Sequence, residues 1–371
     1  MRNRYQFKNY DIKLIIYLIA ITVIGILAIG SAKQSVQNKQ LIGFIFGLFV
    51  MFLISFFDYS NILKLYWLMY IGNLILLLLV KLIGSSANNA QRWVEIAGIR
   101  FQPSETAKIL LILFFAQFIM KRGEKLNTFV NIGLCFVLLL PPLYLIYKQP
   151  DLSTSIIVFL VFCVCLYVGG LSYKATLGAI AIVIPFVIIF LFLVVQPDNG
   201  FLEGYQQERI LAWINPEKYA LSTAYQTQNS ITAIGSGRLW GKGLNNNEVG
   251  SVKNGNYISE PQTDFIFAII GEEMGFVGSA TVIILLMLIA LECFNIARFA
   301  KDLAGRIICA GVGSIILFQS SLNICVTTGL MPNTGLPLPF VSYGLTSLVS
   351  LYIGMGFVLN VALQRVYPKG Y

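Results

Sequence analysis

An aspartate, Asp264, stands where a long polar stretch, residues 196–263, gives way to an apolar run that begins at Phe265. The chain contains no histidine. Any proton transfer near neutral pH therefore has to use a carboxylate or a Lys, Tyr or Cys side chain. A carboxylate at the edge of an apolar environment is partly desolvated, which makes it a stronger base. Asp264 is the first candidate for a general base.

Further ionisable residues lie inside apolar runs. Glu105 and Lys108 are three residues apart, so they share a helix face and can pair. Glu272 follows Asp264 by two helical turns, about 80° round the axis, so both side chains can face one groove, whereas Glu273 points the other way and is interpreted as structural. A charge in a bilayer costs about 2.5–3.5 kcal/mol and persists where it pairs or lines a wet cavity. For Glu105 and Lys108 both interpretations stay open.

The composition indicates which elements hold these residues. Of 371 residues, 57% are hydrophobic and 12% charged, against about 25% charged in ordinary globular chains. Apolar runs near the ~20 residues that cross a bilayer recur along the whole chain. We predict an all-α polytopic membrane protein, a single domain over residues 1–371. It has about ten transmembrane helices and a large extracytoplasmic loop, residues 196–264, between the seventh and eighth.

The predicted spans are residues 13–32, 41–57, 62–83, 105–120, 129–147, 152–169, 174–195, 265–295, 307–329 and 343–364. With the N-terminus in the cytoplasm, the inside segments hold fourteen Lys and Arg residues and the short outside loops hold six. This asymmetry predicts that both termini are cytoplasmic and that Asp264 faces the opposite side. The net charge of +9 is attributed to this bias and to anionic lipid rather than to nucleic acid.

Metal binding by the chain itself is not indicated. The six cysteines lie in or beside apolar runs without a CxxC pair, and no histidine completes a zinc shell. We predict no metal site and no cofactor, with a divalent cation such as Mg²⁺ or Mn²⁺ left open as an assistant to a phosphorylated substrate.

Three helices begin at the predicted outer face with a proline followed by an acid. These starts are Gln102-Pro103-Ser104-Glu105, Gln149-Pro150-Asp151 and Pro261-Gln262-Thr263-Asp264. Proline suits the first helical turn, and Ser, Asp and Thr are good caps, so the three can simply be helix starts. Alternatively, their positive ends jointly serve an anionic group.

The long loop carries a glycine series, Gly235-Ser236-Gly237-Arg238-Leu239-Trp240-Gly241-Lys242-Gly243. Glycines interleaved with basic residues can bring backbone N–H groups close to phosphates. The spacing matches no P-loop, and a tightly turning loop packed on the helix bundle explains the series as well.

The ordered set of motifs resembles the SEDS family of bacterial membrane proteins (RodA, FtsW and SpoVE) from the first span to the last. The resemblance rests on Gln91-Arg92-Trp93, Phe101-Gln102-Pro103-Ser104-Glu105 with Lys108, Gln149-Pro150-Asp151-Leu152-Ser153-Thr154, Arg209, Asn215-Pro216, Ala233-Ile234-Gly235-Ser236-Gly237, Gly241-Lys242-Gly243, Thr263-Asp264-Phe265-Ile266-Phe267-Ala268, Gly271-Glu272-Glu273-Met274-Gly275-Phe276 and the run from Leu330 to Gly344. Segment 100–105 slightly favours the RodA-like branch.

The resemblance implies a peptidoglycan glycosyltransferase that polymerises lipid II at the outer face of the bacterial cytoplasmic membrane, in complex with a class B penicillin-binding protein. It implies that Asp264 is essential, and we assign this residue the general-base role. Substrate binding is predicted for Arg92, Glu105, Lys108, Asp151, Arg209, Lys242, Glu272 and Ser342. The cations Arg92, Arg209, Lys108 and Lys242 are the candidates for stabilising a departing pyrophosphate.

Two departures from the family pattern bear on backbone geometry. Leu345 follows Gly344 where relatives often carry a second glycine, and Arg238 stands where relatives have the second residue of a Gly-Gly pair. The main alternative function is a lipid II flippase, which intramembrane charges would also suit. A carrier needs its charged site near the midplane, whereas these acids cluster at helix starts. A structural scaffold would leave Asp264 unexplained, and other polyprenyl-sugar transferases lack this motif set.

Overall fold

The computed structural model describes residues 5–87, 90–96, 99–178, 204–245 and 257–366, with residues 181, 185, 251 and 255. Within these residues, eight helices are long and apolar enough to cross a membrane. They are Ile12–Ala32, Gln34–Ser55, Tyr59–Leu82, Pro103–Asn127, Phe129–Tyr147, Ile266–Arg298, Leu303–Thr327 and Leu345–Leu363, with Leu152–Val168 as a shorter apolar helix. The polytopic helical prediction is confirmed. Most of the predicted seventh span, 174–195, lies outside the described residues.

The helices are named in chain order. They are α1 (Ile12–Ala32), α2 (Gln34–Ser55), α3 (Tyr59–Ile62), α4 (Tyr66–Ile83), α5 (Pro103–Arg122), α6 (Phe129–Tyr147), α7 (Leu152–Val168), α8 (Gly204–Ile214), α9 (Tyr225–Ser236), α10 (Ile266–Arg298), α11 (Leu303–Thr327) and α12 (Leu345–Leu363). Helices α8 and α9 belong to the long loop, and the end of the bundle on which they lie is called the loop end.

A small antiparallel sheet connects α4 to α5. Its strands are β1 (Ser85–Ala87), β2 (Ala90–Ile96) and β3 (Ile99–Phe101), paired in the order β1-β2-β3. We did not predict it from the sequence, because strands this short carry little periodicity. Its function in the fold is to present Arg92, on β2, to the start of α7.

Burial divides the bundle into central and peripheral helices. Helices α5, α11 and α12 are mostly buried, whereas α2, α4 and α6 expose large apolar side chains such as Phe49, Ile75 and Val137. A soluble protein rarely exposes so much contiguous apolar surface. These peripheral faces are therefore the lipid-facing surface of an integral membrane protein, and the polar network described below lies at the centre.

Helix α10 is interrupted at Gly275, whose φ of 63° and ψ of −160° belong to a region that only glycine adopts readily. The break removes hydrogen-bond partners on both sides. Residues 235–243, the glycine segment, replace them: the N–H groups of Lys242 and Gly243 donate to the carbonyls of Glu272 and Glu273 (2.9 and 3.0 Å). In the other direction, the N–H groups of residues 276 and 277 donate to the carbonyls of residues 238 and 239 (2.8 and 3.1 Å). The segment thus caps both halves of a broken helix.

Close backbone contact explains why glycines are needed here. A Cβ on Gly241 would lie 2.2 Å from the carbonyl oxygen of Glu273, and one on Gly237 would lie 1.9 Å from that of Gly271. The packed-loop interpretation of the glycine series is thereby confirmed. The phosphate-cradle interpretation is wrong for the amides of Lys242 and Gly243, because they are already committed to helix carbonyls.

Arg238, the departure noted above, adopts φ +50° and has an exposed side chain. A left-handed backbone costs an L-residue roughly 1–2 kcal/mol, and glycine loses about 0.5–1 kcal/mol more chain entropy on folding. We therefore expect Arg238→Gly to raise the free energy of unfolding by about 0.5–1 kcal/mol, measured by thermal unfolding in detergent. Arg298→Gly, in the last turn of α10, is the control and should destabilise. A loss of stability in both variants would contradict the strain assignment.

Candidate active site

Asp264 is held through its backbone. Its carbonyl accepts a hydrogen bond from the side-chain amide of Asn323 on α11 (2.7 Å), and the same amide donates to the carbonyl of Leu336 (2.6 Å). The preceding residue is fixed as well, because Ser342 Oγ donates to the carbonyl of Thr263 (2.6 Å). The Asp264 carboxyl is therefore not needed to hold the segment in place.

The carboxyl group of Asp264 lies beside Arg209. Both side chains lie against Gly335: a Cβ on this glycine would lie 3.4 Å from Asp264 Oδ2 and 3.9 Å from Arg209 Nη1. Burial raises the pKa of the Asp264 carboxyl to about 6, against the lowering effect of Arg209 and then Arg92, while Asp151 adds a smaller raising effect. A carboxylate with a pKa near neutrality is suited to general-base catalysis.

Asp151 connects the start of α7 to the start of α5 through its side-chain hydrogen bonds. It begins α7, where its Oδ1 accepts from the N–H of Thr154 (3.2 Å). Its Oδ2 accepts from Gln102 Nε2 (3.4 Å) and Ser104 Oγ (3.5 Å) at the start of α5. Asp151 also acts electrostatically on the Asp264 carboxyl, so the starts of α5 and α7 lie near the segment that precedes α10. That their positive ends jointly serve an anionic group stays a prediction.

Arg92 reaches the same place from the sheet. Its Nε donates to the carbonyl of Gln149 (3.3 Å), and its Nη2 donates to the carbonyl of Pro150. The guanidinium thus lies at the start of α7, within electrostatic reach of Asp264. Four predicted site residues therefore come together: Asp264, Arg92, Arg209 and Asp151.

Glu105 and Lys108 form the predicted ion pair, with 2.8 Å between Oε1 and Nζ and only 2% and 3% of the side chains exposed. Lys108 also donates to Gln319 Oε1 on α11 (2.8 Å), and Glu105 Oε2 accepts from Ser347 Oγ on α12 (2.7 Å). Gln319 in turn donates to the carbonyl of Pro337 (2.9 Å). The pair therefore connects three central helices to residues 332–340, the proline segment, which lies against Asp264.

Lys242 and Glu272 lie elsewhere, at the glycine segment. Lys242 Nζ is 2.8 Å from Glu272 Oε1, and Ser251 Oγ donates to Glu272 Oε2 (3.4 Å). Glu272 therefore turns to Lys242 rather than to a groove shared with Asp264, which corrects that expectation. Glu273 accepts from Ser31 Oγ on α1 (2.5 Å), consistent with the structural role predicted for it.

The sequence of this chain is similar to that of known proteins. The sequence model FTSW_RODA_SPOVE, described as "Cell cycle protein", matches residues 7–367. The chain belongs to the FtsW/RodA/SpoVE family. This match confirms the resemblance drawn from the motifs, although both branches are represented among its relatives and the slight preference for the RodA-like branch stays a prediction.

Two curated relatives illustrate the similarity. "Peptidoglycan glycosyltransferase MrdB" of Escherichia coli K12 is 36% identical over 297 residues, which cover 80% of this chain and 77% of the relative. "Probable peptidoglycan glycosyltransferase FtsW" of Geobacter metallireducens is 31% identical over 376 residues, covering 98% and 97%.

Solved structures agree with the fold. The crystal structure of the rod shape determining protein RodA of Thermus thermophilus is 28% identical with a TM-score of 0.71, covering 97% of this chain and 98% of that one. A chain from the study "Structural coordination of polymerization and crosslinking by a peptidoglycan synthase complex" is 29% identical with a TM-score of 0.78, covering 95% and 97%.

Sequence reasoning missed the residues that hold the site together. Asn323 and Gln319 are one turn apart on α11, and both are fully buried. Gln40 on α2 donates to the carbonyl of Ser342 (3.2 Å) and accepts from the N–H of Gly344 (3.3 Å). The sequence could have indicated these residues, because burying an amide side chain inside an apolar span costs free energy and such side chains normally form hydrogen bonds that the fold or the function needs. Ser342, predicted to bind substrate, here uses its hydroxyl to tie Thr263 to the N–H of Leu338 (2.7 Å).

Proposed function

We propose that this chain is a peptidoglycan glycosyltransferase that polymerises lipid II, with Asp264 as the general base. The observation that carries the proposal is the partly buried carboxyl group of Asp264, with its pKa raised to about 6 and within electrostatic reach of Arg209 and Arg92. The names of the relatives, peptidoglycan glycosyltransferases of the MrdB and FtsW types, support the substrate class.

The proposed reaction transfers a glycan from its lipid pyrophosphate to a sugar hydroxyl. The hydroxyl oxygen forms a bond to the anomeric carbon while its proton passes to the Asp264 carboxylate. The bond from the anomeric carbon to the pyrophosphate oxygen breaks, and the lipid pyrophosphate leaves with the electron pair. Cations placed where that charge develops are worth most. Arg209 and Arg92 are best placed for it, because both act electrostatically on the Asp264 carboxyl group.

We further propose the orientation and partner predicted from the sequence. Both termini lie in the cytoplasm, and the loop end faces outward, where lipid-linked precursors are polymerised. The partner is a class B penicillin-binding protein, a transpeptidase that crosslinks the product. The study of a peptidoglycan synthase complex, which treats polymerisation and crosslinking together, supports a partner of this kind.

The chain is proposed to bring no resident metal to the reaction. In the part of the chain that the structure describes, no three Cys, Asp or Glu side chains converge as metal ligands would. A divalent cation such as Mg²⁺ or Mn²⁺ would then enter with the pyrophosphate of the substrate. Titration of polymerisation with EDTA and with added Mg²⁺ or Mn²⁺ tests this part of the proposal.

The proposal is tested by incubating the detergent-purified chain, alone and with its transpeptidase partner, with fluorescently labelled lipid II. Glycan polymer should form, and its amount should rise with the partner present. The same protein reconstituted in liposomes distinguishes the glycosyltransferase from the flippase alternative. Movement of labelled lipid II between leaflets without polymer formation would show that the chain is a lipid II carrier and not a glycosyltransferase.

The pKa of Asp264 makes a pH prediction. Below about pH 6 the base is protonated, so the rate should fall about tenfold per pH unit, with a plateau above. Stability should change in the opposite direction. The folded chain holds the Asp264 proton at pH values where the unfolded chain, with an ordinary pKa of about 3.9, has lost it. The free energy of unfolding should therefore decrease as pH rises from about 4 to 6. A polymerisation rate that is flat down to about pH 4.5 would contradict the assignment.

A further inference from the structure

A cavity of about 90 Å³ lies at the loop end, outside the contacts described so far. It is lined by α8, by α9 and by residues 329–333, just before the turn that holds Gly335. Its walls are mixed. Ala212, Ala224 and Met331 contribute apolar surface, and Thr227, Gln228 and Asn333 contribute polar atoms. Apolar walls with a few polar groups are the usual lining of a ligand site.

The cavity has an aromatic wall in a fixed orientation. Trp213, on α8, donates from its indole Nε1 to the carbonyl of Gly329 (3.1 Å), and 41% of the side chain is exposed. The bond holds the ring at the edge of the cavity and leaves part of its apolar surface free. An indole placed in this way offers a flat surface for the apolar face of a sugar ring, with polar groups beside it to fix the orientation.

Arg209 connects this cavity to Asp264. The arginine lines the cavity and donates from Nη1 to the carbonyl of Asn333 (3.3 Å). The same Nη1 lies, like Asp264 Oδ2, against Gly335. A ligand in the cavity that contacts Arg209 would therefore lie near the candidate general base.

We propose that this cavity binds the 2-acetamido group of one of the sugars being joined. The inference rests on the proposed function, which makes the substrate an N-acetylated glycan. A cavity of about 150 Å³ accommodates benzene, with six heavy atoms, so about 90 Å³ accommodates about four, the size of an acetamido group. Gln228 Oε1 is the acceptor for the amide N–H, and Ala212, Ala224 and Met331 surround the methyl group. The cavity thus selects N-acetylated sugars by size.

The test uses lipid II in which the N-acetyl groups are replaced by N-butyryl groups. The wild-type chain should use this analogue at least tenfold less efficiently, in kcat/KM, than native lipid II, because two further carbons per acyl group overfill the cavity. Met331→Ala enlarges the cavity and should raise the ratio of butyryl to acetyl efficiency at least tenfold. Leu330→Ala is the matched control: Leu330 is the neighbouring residue, 68% exposed and outside the cavity wall, so the ratio should stay at the wild-type value.

Other results would overturn the inference. Equal use of both lipids by the wild type would show that the cavity does not discriminate acyl groups by size. The same ratio of butyryl to acetyl efficiency in Met331→Ala and Leu330→Ala would show this as well. If Met331→Ala does not fold, Ile231→Ala on the α9 side of the cavity makes the same comparison. Failure of the wild type to polymerise native lipid II would instead contradict the proposed function, and the assignment of the acetamido group as the ligand would no longer apply.

Discussion

Replacing Asp264 by asparagine is expected to reduce polymer formation from lipid II by about 10²–10⁴-fold while the protein stays folded. General-base catalysis contributes a factor of this size, and an amide of the same shape cannot accept the proton. The fold should tolerate the change, because Asn323 binds the backbone carbonyl of residue 264 and Ser342 binds that of residue 263. Single-turnover assays on labelled lipid II measure the rate, and thermal unfolding measures the stability.

Glu260→Gln is the matched control. This acid stands four residues earlier, is exposed, and forms a surface ion pair with Lys33 at 3.3 Å. Its loss should change the free energy of unfolding by less than about 1 kcal/mol and leave turnover within about twofold of the wild type. Substantial polymerisation by Asp264→Asn, in a preparation that polymerises with Glu260→Gln, would exclude the general-base role.

Replacing Lys108 by alanine should cost about 3–5 kcal/mol of unfolding free energy. The substitution leaves Glu105 as an uncompensated charge among three central helices, and removing one partner of a buried ion pair has an effect of this size. Thermal unfolding in detergent measures the loss. The turnover of the molecules that remain folded should fall much less than in Asp264→Asn, because Lys108 supports the proline segment through Gln319 rather than contacting the reacting atoms.

Two further variants make the stability result specific. Lys33→Ala, which breaks an exposed pair, should cost no more than about 1 kcal/mol. Combining Lys108→Met with Glu105→Gln should recover at least half of the loss, because no unpaired charge remains and a glutamine at 105 still accepts from Ser347. If Lys108→Ala is no more destabilising than Lys33→Ala, the pair is not structural. A loss of turnover equal to that of Asp264→Asn, at unchanged stability, would place Lys108 in substrate binding.

Local patterns account for the parts of the fold and site that could be predicted. Bilayer thickness determines how long an apolar run must be, so the runs alone predicted the described spans to within a few residues. The two exceptions are an earlier start of α2 at Gln34 and a later end, at Asn127, of the span that begins at Pro103. Helix geometry places residues three apart on one face, so the pairing of Glu105 with Lys108 could be predicted as well. The position of Asp264 at the start of an apolar run indicated a desolvated carboxyl group.

Other features depend on segments that are distant along the chain. Glycines interleaved with basic residues look alike whether their amides bind phosphate or helix carbonyls, and only the break in α10 at Gly275 decided between them. The glycine segment packs at the same break, and there Glu272 forms its ion pair with Lys242 rather than facing Asp264. No periodicity predicts such contacts, because they depend on how separate elements pack.

The sequence by itself determined that this is a many-helix membrane protein of a particular family, and it predicted which carboxyl group could act as a base. These are properties of runs and short motifs, for which hydrophobic length and helical spacing are sufficient. Only the tertiary structure decided which cations lie near that carboxyl group. Arg92 comes from a strand, Arg209 from a helix of the long loop, and the turn at Gly335 brings the latter against Asp264. Charges in an apolar bundle take the partner that packing brings within hydrogen-bond distance, whatever their separation along the chain.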